Sequence, residues 1–338
     1  MVRAFHRVPV LPLVLAWLSS MAVGTHSAHA AAGAASPPEP IRYHLGFKAP
    51  RTHYVEVEAS IPTGGKPAVE LMMPVWTPGS YLVREYARHI EDIAARLPDG
   101  SPAKIAKVRK NRWQVQIPGE KPADRITISY RLYCREMGVQ TNWVDASFAI
   151  LNGAATFLTL AERADTPRPH ELTIEPAAGW KRSICGLPEL PGGAPHRYVA
   201  ADFDELVDSP IYAGNPAVYE FQVNGVPHLL VNEGEGGIWD GPRSAKDVEA
   251  IVRAETTFWG AIPYKKYVFF NLLTETGGGL EHRNSTVLMS SRWATRTRPT
   301  YLGWLHLVAH EYFHTWNVKR LRPVELGPFD YDNEVPSK

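Results

Sequence analysis

The stretch that most constrains this chain is His310-Glu311-Tyr312-Phe313-His314. Four residues along a helix turn the chain through about 400° and raise it by about 6 Å, so His310 and His314 lie one above the other on one face. Two imidazole nitrogens so placed can reach one zinc ion at about 2.0 Å. Glu311 points roughly 100° away around the helix, which suits a base acting on a metal-bound water better than a metal ligand. The plainer alternative is a helix that merely contains two histidines. The flanking residues favour a rigid helix. Thr300 after Pro299 can cap it, and Leu302, Leu305, Val308 and Tyr312 make one apolar stripe before Pro323 forbids further helix.

Residues 1–30 read as a secretory signal peptide. Arg3 and Arg7 form a basic start, Val8 to Val23 is mostly apolar, and Ala28-His29-Ala30 is a small-x-small cleavage site. A membrane anchor fits less well, because the run falls short of the roughly 20 residues needed to span and contains Pro9 and Pro12. Residues 31–40, rich in Ala, Ser and Pro, read as a disordered lead. The expectation is an exported chain, periplasmic or secreted, with no stable membrane anchor after cleavage. With 36 basic against 35 acidic residues, the charge is nearly balanced, which argues against nucleic acid as a partner. Cys134 and Cys185 are the only cysteines. Export permits a disulfide, and their spacing leaves open whether they pair.

The mature length exceeds one ordinary hydrophobic core, so two domains are expected. From residue 41 to 209 the pattern is alternation and turns. Arg42–Lys48, His53–Glu58, Arg112–Ile117 and Arg125–Tyr133 read as half-buried strands, punctuated by Pro78-Gly79 and Pro98-Asp99-Gly100, the pattern of a β-sandwich. One short helix is expected at Tyr81–Ala95. Residues 210–338 change character: strands within Val218–Val231, a helix at Ala245–Trp259, a strand at Tyr267–Thr274 and the helix from Thr300 to Val318. The fold class is therefore α+β.

Gly277-Gly278-Gly279-Leu280-Glu281-His282 follows an apolar strand. Alone it reads as an ordinary glycine turn. Beside the histidine helix, its glycines allow close backbone approach and Glu281 can receive a ligand's ammonium group. Gly234–Gly237 lacks the Lys-Ser/Thr of a phosphate loop and reads as a turn. Arg292, Arg296 and Arg298 read as a solvated lead into the helix. Trp76–Ser80 and Thr141–Asp145 suit either exposed recognition or a buried Trp with turn chemistry.

The string His310 to Asn317 with Lys319-Arg-Leu-Arg-Pro323 resembles the metal helix of the M61 glycyl aminopeptidase family of zinc peptidases. Gly277–His282, Trp76–Tyr81 with Arg84–Tyr86, Thr141–Trp143 and Asn152–Ala155 resemble that family too, in order along the chain. The resemblance implies an N-terminal β domain followed by a thermolysin-like (gluzincin) catalytic domain holding Zn2+. It implies His310 and His314 as metal ligands and Glu311 as the catalytic base. Gly278, Gly279 and Glu281 would bind peptide substrates with a free N-terminus. In the family a later Leu-Trp…Glu-Gly segment brings the third zinc ligand. The residues up to Lys338 do not resemble it, so the catalytic domain reads as incomplete, with Glu334 the only nearby carboxylate that could substitute geometrically. The expected function is an exported aminopeptidase of glycyl or alanyl type. The alternatives are an endopeptidase, or an inactive peptide- or protein-binding fragment. The oligomeric state is left open by the sequence.

Overall fold

Strict alternation organises the N-terminal region. The strand Arg125–Tyr133 buries Ile126, Ile128, Tyr130 and Leu132 and leaves the residues between them half-buried. It sits inside a seven-stranded sheet between Tyr54–Pro62 and Ile90–Arg96. Trp113 and Val115, from the four-stranded sheet containing Ala68–Met72 and Arg112–Gln116, reach the same core. A third sheet, of four strands, contains Ala149–Leu151 and Ile211–Gly214. The computed structural model describes residues 38–162 and 167–335, so the expected signal peptide and most of the lead lie outside the described residues.

The helix expected over Tyr81–Ala95 does not form. A 3₁₀ turn at Tyr86–His89 runs into the strand Ile90–Arg96. A bulge between Glu91 and Ala94, with Asp92 at φ 51°, resets the alternation. Ile90, Ile93 and Leu97 thereby fall at spacings of three and four, which imitate a helix.

After Gly214 the chain builds a five-stranded sheet in the order Ala217–Val223, Val226–Glu233, Tyr267–Leu273, Ser285–Ser290, Gly278–Glu281. After the short helix α1 (Phe203–Val207), helix α2 (Gly241–Trp259) crosses between the parallel strands Val226–Glu233 and Tyr267–Leu273. Asp240 caps its start and Gly260, at φ 76°, ends it. Every residue of Tyr267–Leu273 is buried because both sheet faces are covered. Tyr267, Phe269 and Leu273 pack with Trp304, Val308 and Tyr312 of helix α3 (Arg298–Phe313). Val268, Phe270 and Leu272 pack with Phe148, Ile150 and Tyr212 of the N-terminal region. The third N-terminal sheet thus backs the sheet that carries α3.

Helix α3 differs from expectation in its cap and its end, while of the expected stripe Leu305, Val308 and Tyr312 face the core and Leu302 does not. Thr297, not Thr300, is the N-cap, its hydroxyl accepting from the Thr300 N–H. The helix ends at Phe313, and a turn follows in which Val318 takes φ 108°. Tyr301 and Trp304 take the buried face and leave Leu302 46% exposed, because Trp304 Nε1 donates to the buried Asn271 Oδ1 at 3.0 Å.

Residues 329–335 return to the N-terminal region. Phe329 and Tyr331 pack on Trp76, whose Nε1 donates to the Asp330 and Asn333 carbonyls at 3.0 Å. Asp332 accepts from Arg112 and Asn111. Cys134 and Cys185 are both buried and free, and burial pushes both thiols up to about 12.

Candidate active site

The last turn of α3 presents His310 and His314 together. Their Nε2 atoms lie 3.2 Å apart and their rings stand at 88°. His314 Nδ1 donates to the Asn317 carbonyl at 2.9 Å, which leaves its Nε2 lone pair facing His310. Glu311 points inward and is only 6% exposed. Burial, then the nearby Glu281 carboxylate, push its carboxyl up to about 7 against the opposing pull of Lys319.

The glycine run is not a turn. Gly278–Glu281 is an edge strand, paired antiparallel with Ser285–Ser290 on one side. Its Gly279 lies against Glu311, so closely that a Cβ there would stand 2.2 Å from Oε1. Leu280 anchors the strand in the core shared with the N-terminal region. Glu281 is 6% exposed. Among the described residues none donates a hydrogen bond to its carboxylate, yet neither oxygen is sealed from solvent.

The N-terminal region enters the site through Trp76–Tyr81. Trp76 is fully buried, and Gly79, at φ 95°, rests on Glu281: a Cβ there would lie 2.7 Å from one carboxylate oxygen and 2.9 Å from the other. Tyr81 packs tilted against Trp76 with ring centroids 5.5 Å apart. Burial pushes its phenol up, and Lys319 opposes this. The Thr141–Asp145 stretch is structural. Asn142 is buried, bonding the Ala155 carbonyl and the Asn152 N–H.

The other sequence candidates lie apart from this cleft. Gly234, Gly236 and Gly237 form a turn with positive φ, and Gly236 lies against the Arg292 guanidinium. Arg296 lies over the Trp293 ring at 4.2 Å. Glu334 lines a groove of about 530 Å³ on the N-terminal region with Val75, Lys107 and Lys110. It does not join the histidines: among the described residues no three His, Cys, Asp or Glu come together as a metal-binding group.

Sequence reading missed a buried polar cluster behind Glu281. Asp208 Oδ1 accepts from His282 Nδ1 at 3.0 Å and Lys319 Nζ at 2.9 Å. Burial works to raise the Asp208 carboxyl, but Lys319 and His282 outweigh it and hold it below the usual carboxylate range. Asp208 sits in an ordinary Val-Asp-Ser-Pro stretch, and nothing local marks it.

Residues 42–215 match the Peptidase M61 N-terminal domain, and residues 303–338 match M61 glycyl aminopeptidase. The chain belongs to the M61 glycyl aminopeptidase family. The M61 N-terminal match ends one residue past the strand Ile211–Gly214, and the second M61 match takes in His310 and His314. The crystal structure of an aminopeptidase N family protein from Idiomarina loihiensis is similar at a TM-score of 0.79 and 29% identity. The likeness covers 87% of this M61 chain and 50% of that one, so the chain spans about half that protein's length. No curated protein matches the chain. No helix among the described residues is long and apolar enough to cross a membrane.

Proposed function

We propose that the chain works as an exported zinc aminopeptidase with a thermolysin-like (gluzincin) catalytic region, removing glycyl or alanyl residues from peptides with a free N-terminus. The observation that carries this reading is the Glu281 carboxylate, almost wholly buried and, among the described residues, without a hydrogen-bond donor, near Glu311 of the histidine helix. An anion so placed is satisfied by a cation brought in from outside, and a substrate's ammonium group is one.

The donor set suits zinc. Two nitrogens 3.2 Å apart, each about 2.0–2.1 Å from one ion, subtend an angle of about 100°, close to tetrahedral. His310 and His314 would hold the ion as two of the three protein ligands a catalytic zinc takes. When bound there, zinc supplies Lewis-acid polarisation of the scissile carbonyl and acidifies water.

The protein's own groups supply the rest. Glu311, with a carboxyl near neutrality, takes the proton of the attacking water and returns it to the leaving amine. Gly279 keeps the substrate strand close to Glu311, because no side chain intervenes. The free edge of Gly278–Glu281 offers backbone partners to an extended peptide, whose amino end Glu281 binds. The basic start, apolar run and Ala28-His29-Ala30 support export.

A second reading, a peptide-binding chain without turnover, is favoured by one observation: only two metal-ligating nitrogens converge among the described residues. Zinc titration and cleavage of an alanyl reporter, free and N-acetylated, separate the two. The aminopeptidase reading expects zinc binding lost in His310→Ala and cleavage confined to the free amine. Equal cleavage of the acetylated reporter overturns the role of Glu281, and binding of the free peptide without cleavage favours the second reading.

A further inference from the structure

At Asp208 a side chain of the N-terminal region bonds both segments that carry the proposed chemistry. It follows helix α1 (Phe203–Val207) and is 8% exposed. Both carboxylate oxygens are used. Oδ1 accepts from His282 and Lys319, and Oδ2 accepts from the backbone N–H of Arg283 at 3.0 Å. His282 and Arg283 directly follow Glu281. Lys319 lies in the turn after α3, where its own backbone N–H donates to the His314 carbonyl at 3.1 Å. The His282 side chain is fully buried and that of Lys319 is 5% exposed, so the bonds form away from water.

We propose that Asp208 is a positioning residue: through His282, Arg283 and Lys319 it holds Glu281 in register with Glu311 and the His310–His314 pair. The effect on catalysis rests on Glu281 binding an amine, as read above. The mechanical coupling does not. A carboxylate taking three donors in a dry site ties both segments at once, since moving Lys319 away strands its buried ammonium and moving residues 282–283 away strips Oδ2 of its Arg283 donor and Oδ1 of His282. A second tie, from Arg320 to the Arg283 carbonyl at 3.0 Å and Asn284 Oδ1 at 3.1 Å, joins the two segments to each other. Among the hydrogen-bonding side chains named here, Asp208 is the one from the N-terminal region.

The test is hydrogen exchange across the full chain in Asp208→Asn, with Asp332→Asn as a control carboxylate paired elsewhere. In Asp208→Asn, exchange in residues 279–284 and 315–320 should rise together, by about tenfold or more, with the Arg125–Tyr133 strand unchanged. Acceleration confined to residues around α1, or equal loosening by Asp332→Asn, overturns the proposal. If Asp208→Asn does not fold, Lys319→Gln decides. Faster exchange reaching 279–284 supports a shared node, and faster exchange limited to 315–320 refutes it. A second arm measures an alanyl amide substrate. KM should rise by about tenfold with a smaller change in kcat, and Asp208→Glu should restore part of the loss. A parent chain that cleaves nothing defeats the aminopeptidase reading, while the exchange result still decides the role of Asp208.

Discussion

Gly279 and Glu311 touch across the gap between the edge strand and α3, with no room for a methyl group between them. The atoms a Cβ would meet are Oε1, Cδ and Cγ of the glutamate, the mobile end of a side chain. Gly279→Ala should therefore fold almost as well as the parent, within about 1 kcal/mol, by displacing Glu311. Activity should suffer far more, by on the order of 100-fold, because the base proposed at Glu311, moved by about 1 Å, would no longer reach its proton. Thermal melting and kcat measured on the same preparation check the split.

Gly153 gives the opposite result for a stated reason. A Cβ there would meet the backbone carbonyls of Leu206 and Val207 at 2.5 and 2.6 Å, and backbone cannot swing aside. Gly153→Ala should cost about 3 kcal/mol, at the upper end of overpacking effects. A thermal midpoint within a degree of the parent would show that α1 can shift freely.

Glu281→Gln keeps the size of the side chain and removes its charge. Cleavage of a free-amino substrate should fall about 10- to 150-fold in kcat/KM, the loss of roughly 1.5 to 3 kcal/mol for a hydrogen bond to a charged group. The acetylated substrate, which brings no ammonium, should stay uncleaved, so the preference for the free amine should shrink. An unchanged ratio between the two substrates would assign amine recognition elsewhere.

The parts of this arrangement that depend on neighbours in sequence were legible, and those that depend on distant partners were not. The run Tyr267–Leu273 reads as a strand because its apolar residues are continuous and short, and it is one, buried on both faces. The His310–His314 pairing follows from helix pitch alone. The Ile90–Arg96 strand was hidden because its bulge reproduces a helical spacing. Gly79 resting on Glu281, and Asp208 gripping His282 and Lys319, join residues separated by the length of a domain. No local pattern announces such contacts. The shift of the α3 cap from Thr300 to Thr297 is a smaller matter: both hydroxyls stand near Pro299, and only the observed hydrogen bond selects between them.

Glu255 on α2 supplies a pH dependence. Its Oε2 is buried without a hydrogen-bond partner among the described residues, and burial pushes the carboxyl up to about 8. The folded state therefore favours the protonated form, while the unfolded chain ionises at an ordinary carboxylate pH. Stability from this group is fully present below about pH 4.5 and is lost as pH rises towards 8. Glu255→Gln should remove that decline, gaining about 1 to 3 kcal/mol over the parent at pH 8 after allowance for solvent screening, and little at pH 4.5. Urea unfolding at the two pH values checks it.

Asn271 fastens α3 to the sheet. It is fully buried, its Oδ1 accepting from Trp304 Nε1 at 3.0 Å and its Nδ2 donating to Asn232 Oδ1 at 2.9 Å. Asn232 in turn donates to Glu235 at 2.8 Å. Asn271→Leu strands the indole N–H and the Asn232 oxygen in a dry core, at a cost of about 2 to 5 kcal/mol. Trp304→Phe alone strands only the Asn271 oxygen and should cost less, about 1 to 3 kcal/mol. In the double variant the indole donor is gone, so Asn271→Leu no longer leaves it unpaired. The combined loss should then be smaller than the sum of the single losses by about 1 to 2 kcal/mol. Unfolding of the four proteins in one denaturant series measures that coupling. Strict additivity would mean that Trp304 holds α3 by its apolar surface alone and that the Asn271 bond contributes nothing.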